Sequence, residues 1–256
     1  MSGALDGRLA VVTGASQGIG CATALAWARA GADIVAAARN LPKLEQLAAA
    51  VRELGRRCEP VVCDVADDTA VARLKGVAEA MGEVDILFNC AGSAGLYAAL
   101  MDTPLEVWDR TVAVNLRGTF LCCQAFVPGM TARRRGVVIN VSSSDRALPL
   151  HSAYHATKFG VVALTQALAE ELRDSGVSVN AVRFGVPVDT ELAREVNGDR
   201  HDYENWQQPE DVTEVLTLLA SQLGTYVTGG YINLYEWRKQ LGGPLPWGVT
   251  PYPAGG

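Results

Sequence analysis

The sequence predicts an α/β fold in which helices cover both faces of a doubly wound parallel sheet. Apolar runs of strand length alternate with helical patterns along most of the 256 residues, of which 49% are hydrophobic. Strands of a parallel sheet are buried on both faces and read as continuous apolar runs, with helices as their crossovers. We expect strands at 9–12, 34–38, 59–63, 84–88, 136–142 and 177–182, and helices at 18–30, 41–54, 67–81, 105–130 and 153–175.

Two further elements are expected to complete the sheet towards the C-terminus. The segment from Pro209 to Leu219 carries a proline and two acidic residues in its first turn, which is typical of a helix N-terminus. The segment from Gly230 to Leu234 is expected to be the last strand. Because neither an internal repeat nor an interdomain linker interrupts the pattern, we expect a single domain over residues 1–256.

A glycine-rich turn follows the first predicted strand. The run 9–12 leads into Thr13-Gly14-Ala15-Ser16-Gln17-Gly18-Ile19-Gly20 and then into an alanine-rich helical segment. Glycines let backbone amides approach a pyrophosphate, and the helix N-terminus adds partial positive charge there. The spacing Gly-x-x-x-Gly-x-Gly differs from the general dinucleotide fingerprint, so the turn alone is equally compatible with an ordinary strand-to-helix loop.

A tyrosine and a lysine, Tyr154 and Lys158, are four residues apart in a predicted helix and therefore project from the same face. A free tyrosine titrates near pH ~10, and a neighbouring ammonium favours the phenolate. The pair predicts a phenol that exchanges protons with a substrate oxygen closer to neutral pH. In isolation the same spacing is also typical of a solvated helix face.

Five motifs in order resemble the short-chain dehydrogenase/reductase family over about residues 5–234. They are Thr13 to Gly20, Asn89-Cys90-Ala91-Gly92, Asn115, Asn140-Val141-Ser142-Ser143 and Tyr154 to Lys158. The resemblance implies a Rossmann-like fold and an oxidoreductase that transfers a hydride between a nicotinamide cofactor and a secondary alcohol or ketone.

The resemblance also implies roles for individual residues. Tyr154 would be the general acid/base, Ser143 would donate to the reacting oxygen, and Lys158 would hold the nicotinamide ribose and lower the pKa of the phenol. Asn115 would support a water-mediated proton path to the lysine; a buried asparagine satisfied by backbone groups is the open alternative. The residues expected to bind the cofactor are Gly14, Ser16, Gln17, Gly18, Ile19, Gly20, Arg39, Asp64, Val65, Asn89, Ala91, Gly92, Tyr154, Lys158, Gly185, Val188 and Thr190.

The end of the second predicted strand indicates which cofactor is bound. An acidic residue there would accept hydrogen bonds from the ribose hydroxyls of NAD, whereas an arginine suits the 2′-phosphate of NADP. The segment reads Ala36-Ala37-Ala38-Arg39-Asn40 and has no carboxylate. Arg39 therefore favours NADP(H) over NAD(H). The alternative is a surface arginine that merely follows a strand.

The choice of serine follows from strand alternation. Ser142, Ser143 and Ser144 are consecutive, and only one register at a strand end can face the substrate. We expect Ser143 to be that residue. Asp145 and Arg146 come next and are expected to present charge to a substrate.

Composition excludes some partners. The formal net charge of −6 disfavours binding to nucleic acid or to an anionic membrane. The sequence has neither a run of 18 apolar residues nor a secretory signal, so we expect a cytoplasmic protein. The six cysteines lack Cys-x-x-Cys spacing and the three histidines do not cluster, so we expect no disulfide and no metal. Cys90 is interpreted as a tolerated substitution, with a reactive thiol as the alternative.

Two C-terminal segments depart from the family pattern. Residues 191–208 are polar and are interpreted as a substrate lid, with a plain surface loop as the alternative. Residues 235–256 form an atypical tail rich in proline and glycine, for which we hypothesise a subunit contact through Trp247 and Tyr252. The family resemblance implies a homotetramer, or a homodimer, built on the helices at 105–130 and 153–175.

The sequence thus predicts an NADP(H)-dependent alcohol/ketone oxidoreductase acting on a small molecule. A non-catalytic, nucleotide-sensing Rossmann module and a reductase of carrier-bound 3-oxoacyl substrates are the alternatives. The resemblance is weakest in the lid and tail, where the substrate pocket is expected, so the sequence leaves the substrate open.

Overall fold

The computed structural model describes residues 3–143, 145–198, 201–222 and 227–240. Within these residues, seven parallel strands form one sheet in the order β3-β2-β1-β4-β5-β6-β7. The strands are β1 Leu9–Thr13, β2 Asp33–Ala38, β3 Cys58–Val62, β4 Ile86–Asn89, β5 Gly136–Val141, β6 Val177–Arg183 and β7 Tyr231–Asn233. The predicted parallel sheet is confirmed.

Helices connect these strands. They are α1 Gly18–Arg29, α2 Leu41–Glu53, α3 Asp68–Met81, α4 Leu105–Val112, α5 Gly118–Arg133, α6 Ser152–Glu171, α7 Glu191–Asn197, α8 Thr213–Ser221 and α9 Leu234–Gln240. Short 3-10 turns lie at Leu100–Asp102 and Pro209–Val212, and a π-helical turn, Ala113–Arg117, joins α4 to α5.

The core lies on both faces of the sheet. Consecutive β1 residues alternate between two hydrophobic clusters, Val12 in one and Val11 in the other, as the strand period of two requires. The first cluster packs beneath α1, α2 and α8, and includes the buried rings of Trp27 and Phe88 at 5.5 Å. The second packs beneath α3 and α5. This arrangement confirms helices on both faces.

The edge strand β3 departs from the expectation of continuous burial. Glu59 and Val62 in this strand are exposed, because β3 has a neighbour on one side only. Pro60 is compatible with such an edge position, since it cannot donate a hydrogen bond to a second neighbouring strand.

Several boundaries differ from the predicted ones. The expected helix at 105–130 is divided by the π-helical turn, and the helix expected from Pro209 begins as a 3-10 turn. The last strand ends at Asn233, whose side chain accepts hydrogen bonds from the first turn of α9 at 3.1 and 3.4 Å. Residues 235–240 of the expected tail are therefore helical. The remainder of the tail, including Trp247 and Tyr252, lies outside the described residues.

Strand register brings the predicted motifs to one edge. Thr13 lies opposite Asn89, and Asn89 lies opposite Asn140. Because β1, β4 and β5 are adjacent and parallel, the loops that follow them open on the same side. The glycine turn, the loop after β4 and the serines after β5 therefore meet there.

Candidate active site

The glycine turn packs closely against the loop that follows β4. Gly14 has φ +70°, and a Cβ added to it would lie 2.8 Å from the backbone nitrogen of Ala91. A Cβ on Gly20 would lie 2.3 Å from the carbonyl oxygen of Gly14. Sterics therefore require glycine at both positions, and at Gly14 the positive φ requires it as well.

A cleft of about 1030 Å³ opens above this turn. Most of the residues expected to bind cofactor or substrate line it. These are Gly14, Ser16, Gln17, Gly18, Ile19, Gly20, Arg39, Asp64, Val65, Ala91, Gly92, Ser143, Tyr154, Lys158, Gly185, Val188 and Thr190.

Asn89 and Asn115 are the two predicted site residues that do not line the cleft. Asn89 is buried behind it, and its side-chain amide donates to Asn140 Oδ1 at 2.8 Å. Asn89 thus supports the cleft wall from behind, and its role in cofactor binding stays a prediction. Thr13 fixes the loop after Asn89, because its Oγ1 accepts from the backbone N–H groups of Cys90 and Ala91 at 3.1 and 3.2 Å.

Asn115 lies in the π-helical turn and is completely buried. Its Oδ1 accepts from Ser93 N at 2.7 Å, while Nδ2 donates to Ser93 O at 2.8 Å and to Thr157 Oγ1 at 3.0 Å. Thr157 Oγ1 in turn donates to the backbone carbonyl of Tyr154 at 2.7 Å. Asn115 therefore ties the cleft loop to the helix that carries the tyrosine, as the alternative interpretation of a satisfied asparagine expected.

Tyr154 and Lys158 both face the cleft from α6. Lys158 Nζ lies 5.8 Å from the centre of the Tyr154 ring and donates to the Val141 carbonyl at 2.8 Å. Burial lowers the pKa of Lys158 from 10.5 to about 8, against a small opposing effect of Cys90. Gly92 lies beside these groups, since a Cβ there would make ordinary van der Waals contacts with the lysine nitrogen at 3.8 Å and with Asn115 Oδ1 at 3.6 Å.

The three serines after β5 do not share one environment. Ser142 is buried, and its hydroxyl donates to the Lys158 carbonyl at 2.9 Å. Ser143 is partly exposed and lines the cleft, while its carbonyl accepts from the Tyr231 hydroxyl at 2.5 Å. Ser144 lies outside the described residues. Ser142 is therefore directed into the protein and Ser143 lines the cleft, as the alternation of side chains at a strand end predicts.

Ionised side chains surround the end of the cleft that follows β2 and β3. Asp64 Oδ1 accepts from Ala66 N at 3.0 Å, and Oδ2 pairs with Arg110 Nη2 at 2.7 Å. Burial raises the pKa of Asp64, but the hydrogen bonds from Arg110 and Ala66 outweigh it and hold that pKa below its usual value. Arg39 lines the same end.

The segment after β6 supplies one wall of the cleft. Gly185 has φ +78°, and a Cβ there would lie 2.1 Å from Asn233 Oδ1, so glycine is required. Buried Gln207 donates to the Phe184 and Val186 carbonyls, each at 3.4 Å, and thereby fixes the base of the expected lid. Thr190 caps α7 through the Ala193 N–H at 3.1 Å and lies against Gly18.

Side chains near Tyr154 shape the remaining wall. The rings of Tyr97 and His151 lie edge to face at 4.8 Å, and His151 lies 6.4 Å from the Tyr154 ring. Asp145 and Arg146 both line the cleft, and Asp145 also forms an ion pair with Arg183 at 2.8 Å. Arg183 therefore partly neutralises the charge of Asp145, and the expectation that both residues present charge to a substrate stays a prediction.

A model of the short chain dehydrogenase family matches residues 8–201. The chain belongs to the short-chain dehydrogenase family. D-threitol dehydrogenase of Mycolicibacterium smegmatis is 39% identical over 236 residues, which are 88% of this chain and 90% of that enzyme.

Solved structures of the family agree with the fold. A metagenomic short-chain oxidoreductase in complex with NADP superposes with a TM-score of 0.77 at 33% identity, over 90% of this chain and 97% of its own. A 3-oxoacyl-acyl-carrier-protein reductase from Brucella melitensis with bound NAD gives 0.79 at 28% identity, over 91% of each chain.

The cleft has the features that a nicotinamide dinucleotide of this family requires. Its volume is at the upper end of the range for ligand pockets, about 300–1,000 Å³. None of the described side chains caps α1, so the first backbone amides of that helix remain available to an anion. The residues of this short-chain dehydrogenase therefore fit the cofactor that the family uses.

The thiol of Cys90, which lines the cleft, is not activated. Burial raises the pKa of Cys90 to about 12, so the thiol stays protonated at neutral pH and is a poor nucleophile. Among the described residues, no cluster of three or more His, Cys, Asp or Glu side chains is arranged to hold a metal ion. No described helix is both long and apolar enough to span a bilayer.

Two basic residues of the cleft end were missed in the sequence. Arg110 was not recognised because its partner, Asp64, is 46 positions away in the chain. Lys43, whose Nζ donates to Gln17 Oε1 at 2.9 Å, lies in the same helical turn as the cap residue Asn40. Its position in the first turn of α2, close after Arg39, was the available signal.

Proposed function

We propose that the protein is an NADP(H)-dependent oxidoreductase that interconverts a secondary alcohol and a ketone. The observation that carries this proposal is the buried Lys158 ammonium, 5.8 Å from the Tyr154 ring, on the wall of a cleft that fits a dinucleotide. A structural lysine would more often place its charge in water, because burying an ammonium is costly unless it is paired or used.

Proton transfer is the chemistry that these residues can perform. When bound, the nicotinamide ring supplies or accepts the hydride at the carbinol carbon. During reduction, Tyr154 donates its hydroxyl proton to the substrate oxygen, and Lys158 stabilises the phenolate that remains. Ser143 donates a hydrogen bond to the same oxygen as negative charge develops on it. Oxidation uses the same groups in reverse.

Asn115 acts on this chemistry by positioning rather than by touching substrate. Its hydrogen bonds to Ser93 and Thr157 fix the turn of α6 that carries Tyr154. The water-mediated proton path from Asn115 to Lys158 would then begin at a side chain whose position is fixed by these hydrogen bonds. Residues 191–208 would cover the substrate, since His201 and Trp206 of that segment line the cleft.

The preference for NADP(H) is supported by charge. Arg39 lines the cleft directly after β2, and no carboxylate occupies the end of that strand. A guanidinium matches the geometry of a phosphate and adds two parallel hydrogen bonds. The solved relatives include one with bound NADP and one with bound NAD, so cofactor choice follows from these side chains rather than from the family.

The substrate class that fits best is a small polar ketone or its alcohol. The wall near Tyr154 carries the polar side chains of Tyr97, Arg146 and His151, and a relative acts on D-threitol, a polyol. Reduction of a carrier-bound 3-oxoacyl group is the second candidate, favoured by the similarity to the Brucella melitensis reductase.

Self-association is part of the same proposal. Phe120 on α5 and Phe159 on α6 expose 44% and 39% of their surface. Exposed aromatic rings on helices are typical of protein interfaces. We expect a homotetramer or homodimer through these helices, which light scattering would detect as a multiple of the chain mass.

A screen of polyols, small ketones and 3-oxoacyl thioesters with NADPH, NADP, NADH and NAD tests the proposal. We expect turnover of one class, with NADPH or NADP more efficient than the cofactor without the 2′-phosphate. Equal efficiency with NADH would overturn the interpretation of Arg39. Tight binding of nucleotide without turnover of any class would favour the nucleotide-sensing alternative.

A further inference from the structure

Lys43 occupies an unusual position beside the cleft. Its ammonium donates to Gln17 Oε1 at 2.9 Å, and Gln17 belongs to the glycine turn. It also lies 3.8 Å from Glu191 Oε1, the first residue of α7. Lys43 therefore joins the glycine turn to the segment expected to act as a lid.

We propose that Lys43 is a second cation for the 2′-phosphate of NADP(H), and that Glu191 competes with this phosphate for its ammonium. The inference rests on the NADP(H) preference proposed above and names two residues that set its strength. It concerns only the adenosine end of the cleft and is independent of the proton transfer at Tyr154.

Lys43 lies close to the end of the cleft where Arg39 is found. Its backbone N–H donates to the side chain of Asn40 at 3.1 Å, so Lys43 is held in the turn directly after Arg39. Arg39, Asn40 and Gln17 all line the cleft. Lys43 therefore stands next to the cleft wall that Gln17 and Asn40 form, one helical turn after Arg39.

The ammonium of Lys43 has hydrogen-bond donors available for a phosphate. A lysine has three donors, of which one is directed to Gln17. The distance of 3.8 Å to Glu191 is too long for a hydrogen bond, so that contact is electrostatic only. Lys43 can therefore donate a hydrogen bond to a phosphate oxygen while it keeps its bond to Gln17 Oε1.

The charges decide the competition. Lys43 and Glu191 leave 40% and 55% of their side chains exposed, and such ion pairs contribute about 0–1 kcal/mol. A phosphate monoester carries between about one and a half and two negative charges at neutral pH, and it accepts charge-assisted hydrogen bonds. Phosphate is thus the stronger partner, while the carboxylate weakens its binding.

Glu191 also lies near the place where the rest of the cofactor would enter. A Cβ on Gly18 would lie 3.7 Å from Glu191 Oε2, which puts the carboxylate next to the N-terminus of α1. A negative charge there opposes any phosphate. Removing the charge of Glu191 should therefore strengthen binding, whereas removing the charge of Lys43 should weaken binding that depends on the 2′-phosphate.

Calorimetry with two nucleotide fragments tests the proposal. Adenosine 2′,5′-bisphosphate carries the extra phosphate and adenosine 5′-monophosphate lacks it, so the ratio of their Kd values isolates its contribution. In Lys43→Gln we expect this preference to fall about tenfold, the magnitude of one charge-assisted hydrogen bond. Lys43→Arg should keep most of it, and Glu191→Gln should increase it about threefold, in proportion to a weaker exposed charge.

The chain offers a matched control pair. Lys75 and Glu79 on α3 lie 3.7 Å apart and expose 40% and 60% of their side chains, almost as Lys43 and Glu191 do. Lys75→Gln and Glu79→Gln change net charge by the same amounts and should leave the preference unchanged. Thermal unfolding of each variant reports whether it is folded.

Three outcomes would overturn the proposal. An unchanged preference in Lys43→Gln would make Lys43 a surface residue, and equal weakening of both fragments would assign its charge to the 5′-phosphate instead. In both cases a wild-type preference for the bisphosphate would leave the NADP(H) assignment intact. Equal wild-type affinity for the two fragments would overturn the NADP(H) assignment together with the role of Lys43.

Discussion

Replacing Lys158 by methionine should stabilise the cofactor-free protein at neutral pH. Burial lowers the pKa of Lys158 from 10.5 to about 8, and this difference corresponds to about 3 kcal/mol by which the folded state disfavours the ammonium. Methionine fills a similar volume without the charge, but it loses the hydrogen bond to the Val141 carbonyl, worth about 1 kcal/mol. The variant should therefore be more stable than the wild type by about 2 kcal/mol at pH 7.

The same shift predicts how the difference depends on pH. Below pH 8 the folded and unfolded wild-type chains both hold the proton, so the full cost is present. Between about pH 8 and 10.5 the folded chain releases a proton that the unfolded chain retains, so the wild type gains stability as the pH rises. At pH 10 the advantage of the variant should have fallen to roughly zero.

Urea unfolding of both proteins at pH 7 and pH 10 measures these differences, because other titrating groups are common to the pair and cancel. Cys90 remains a thiol at both values, since its pKa is about 12. A variant that is less stable than the wild type at pH 7, or a difference that does not change with pH, would refute the assignment of a buried, costly ammonium.

Further substitutions test the frame around the site. Gly14→Ala should lose dinucleotide binding and destabilise the fold by about 1–3 kcal/mol, because its Cβ would meet the Ala91 nitrogen at 2.8 Å with φ at +70°; calorimetry and thermal unfolding would show it, and normal binding would argue against the close approach. Asn115→Ala should reduce the free energy of unfolding by at least about 2 kcal/mol, because the backbone N–H and carbonyl of Ser93 lose the Asn115 amide as their partner. A loss below about 0.5 kcal/mol, the effect of an ordinary surface substitution, would contradict this. Ser142→Ala should cost about 1 kcal/mol of stability, because it removes the hydrogen bond to the Lys158 carbonyl. Ser143→Ala should lower kcat and leave stability unchanged. Urea unfolding and turnover measure both effects, and the reverse pattern would exchange the roles of the two serines.

The fold was predictable because its signals are local and repeated. Each buried strand is a short apolar run, and β1, β2 and β5 are buried at every residue, as parallel strands with two covered faces must be. The register that places Thr13, Asn89 and Asn140 side by side follows from that topology. The meeting of motifs at one sheet edge could therefore be inferred before any contact was known.

Local capping signals for two helices were present but were not used. Thr190, which precedes α7, accepts from Ala193 N, and Asn233, which precedes α9, accepts from Tyr235 N and Glu236 N. Thr and Asn are favoured at the position before a helix, because their side chains satisfy its first amides. Composition alone indicates a polar lid for the first segment and an irregular tail for the second.

Contacts between residues that are distant in the chain could not be predicted from the sequence. Arg110 and Asp64 are distant in the chain, as are Asp145 and Arg183, and nothing in either local segment specifies the partner. The burial of Asn115 could not be predicted for the same reason, since its partners Ser93 and Thr157 come from a loop and from another helix. Such contacts depend on how elements pack, so only the residue type and not its partner could be predicted.

Turnover of Tyr154→Phe, measured together with its affinity for NADPH, tests the proposed chemistry most directly. The substitution removes one hydroxyl and keeps the ring that lies 5.8 Å from Lys158 Nζ. We predict that kcat falls by about a hundredfold or more, as loss of a positioned proton donor requires, while the Kd for NADPH changes less than threefold. A variant that retains more than a tenth of the wild-type kcat would contradict proton transfer by Tyr154.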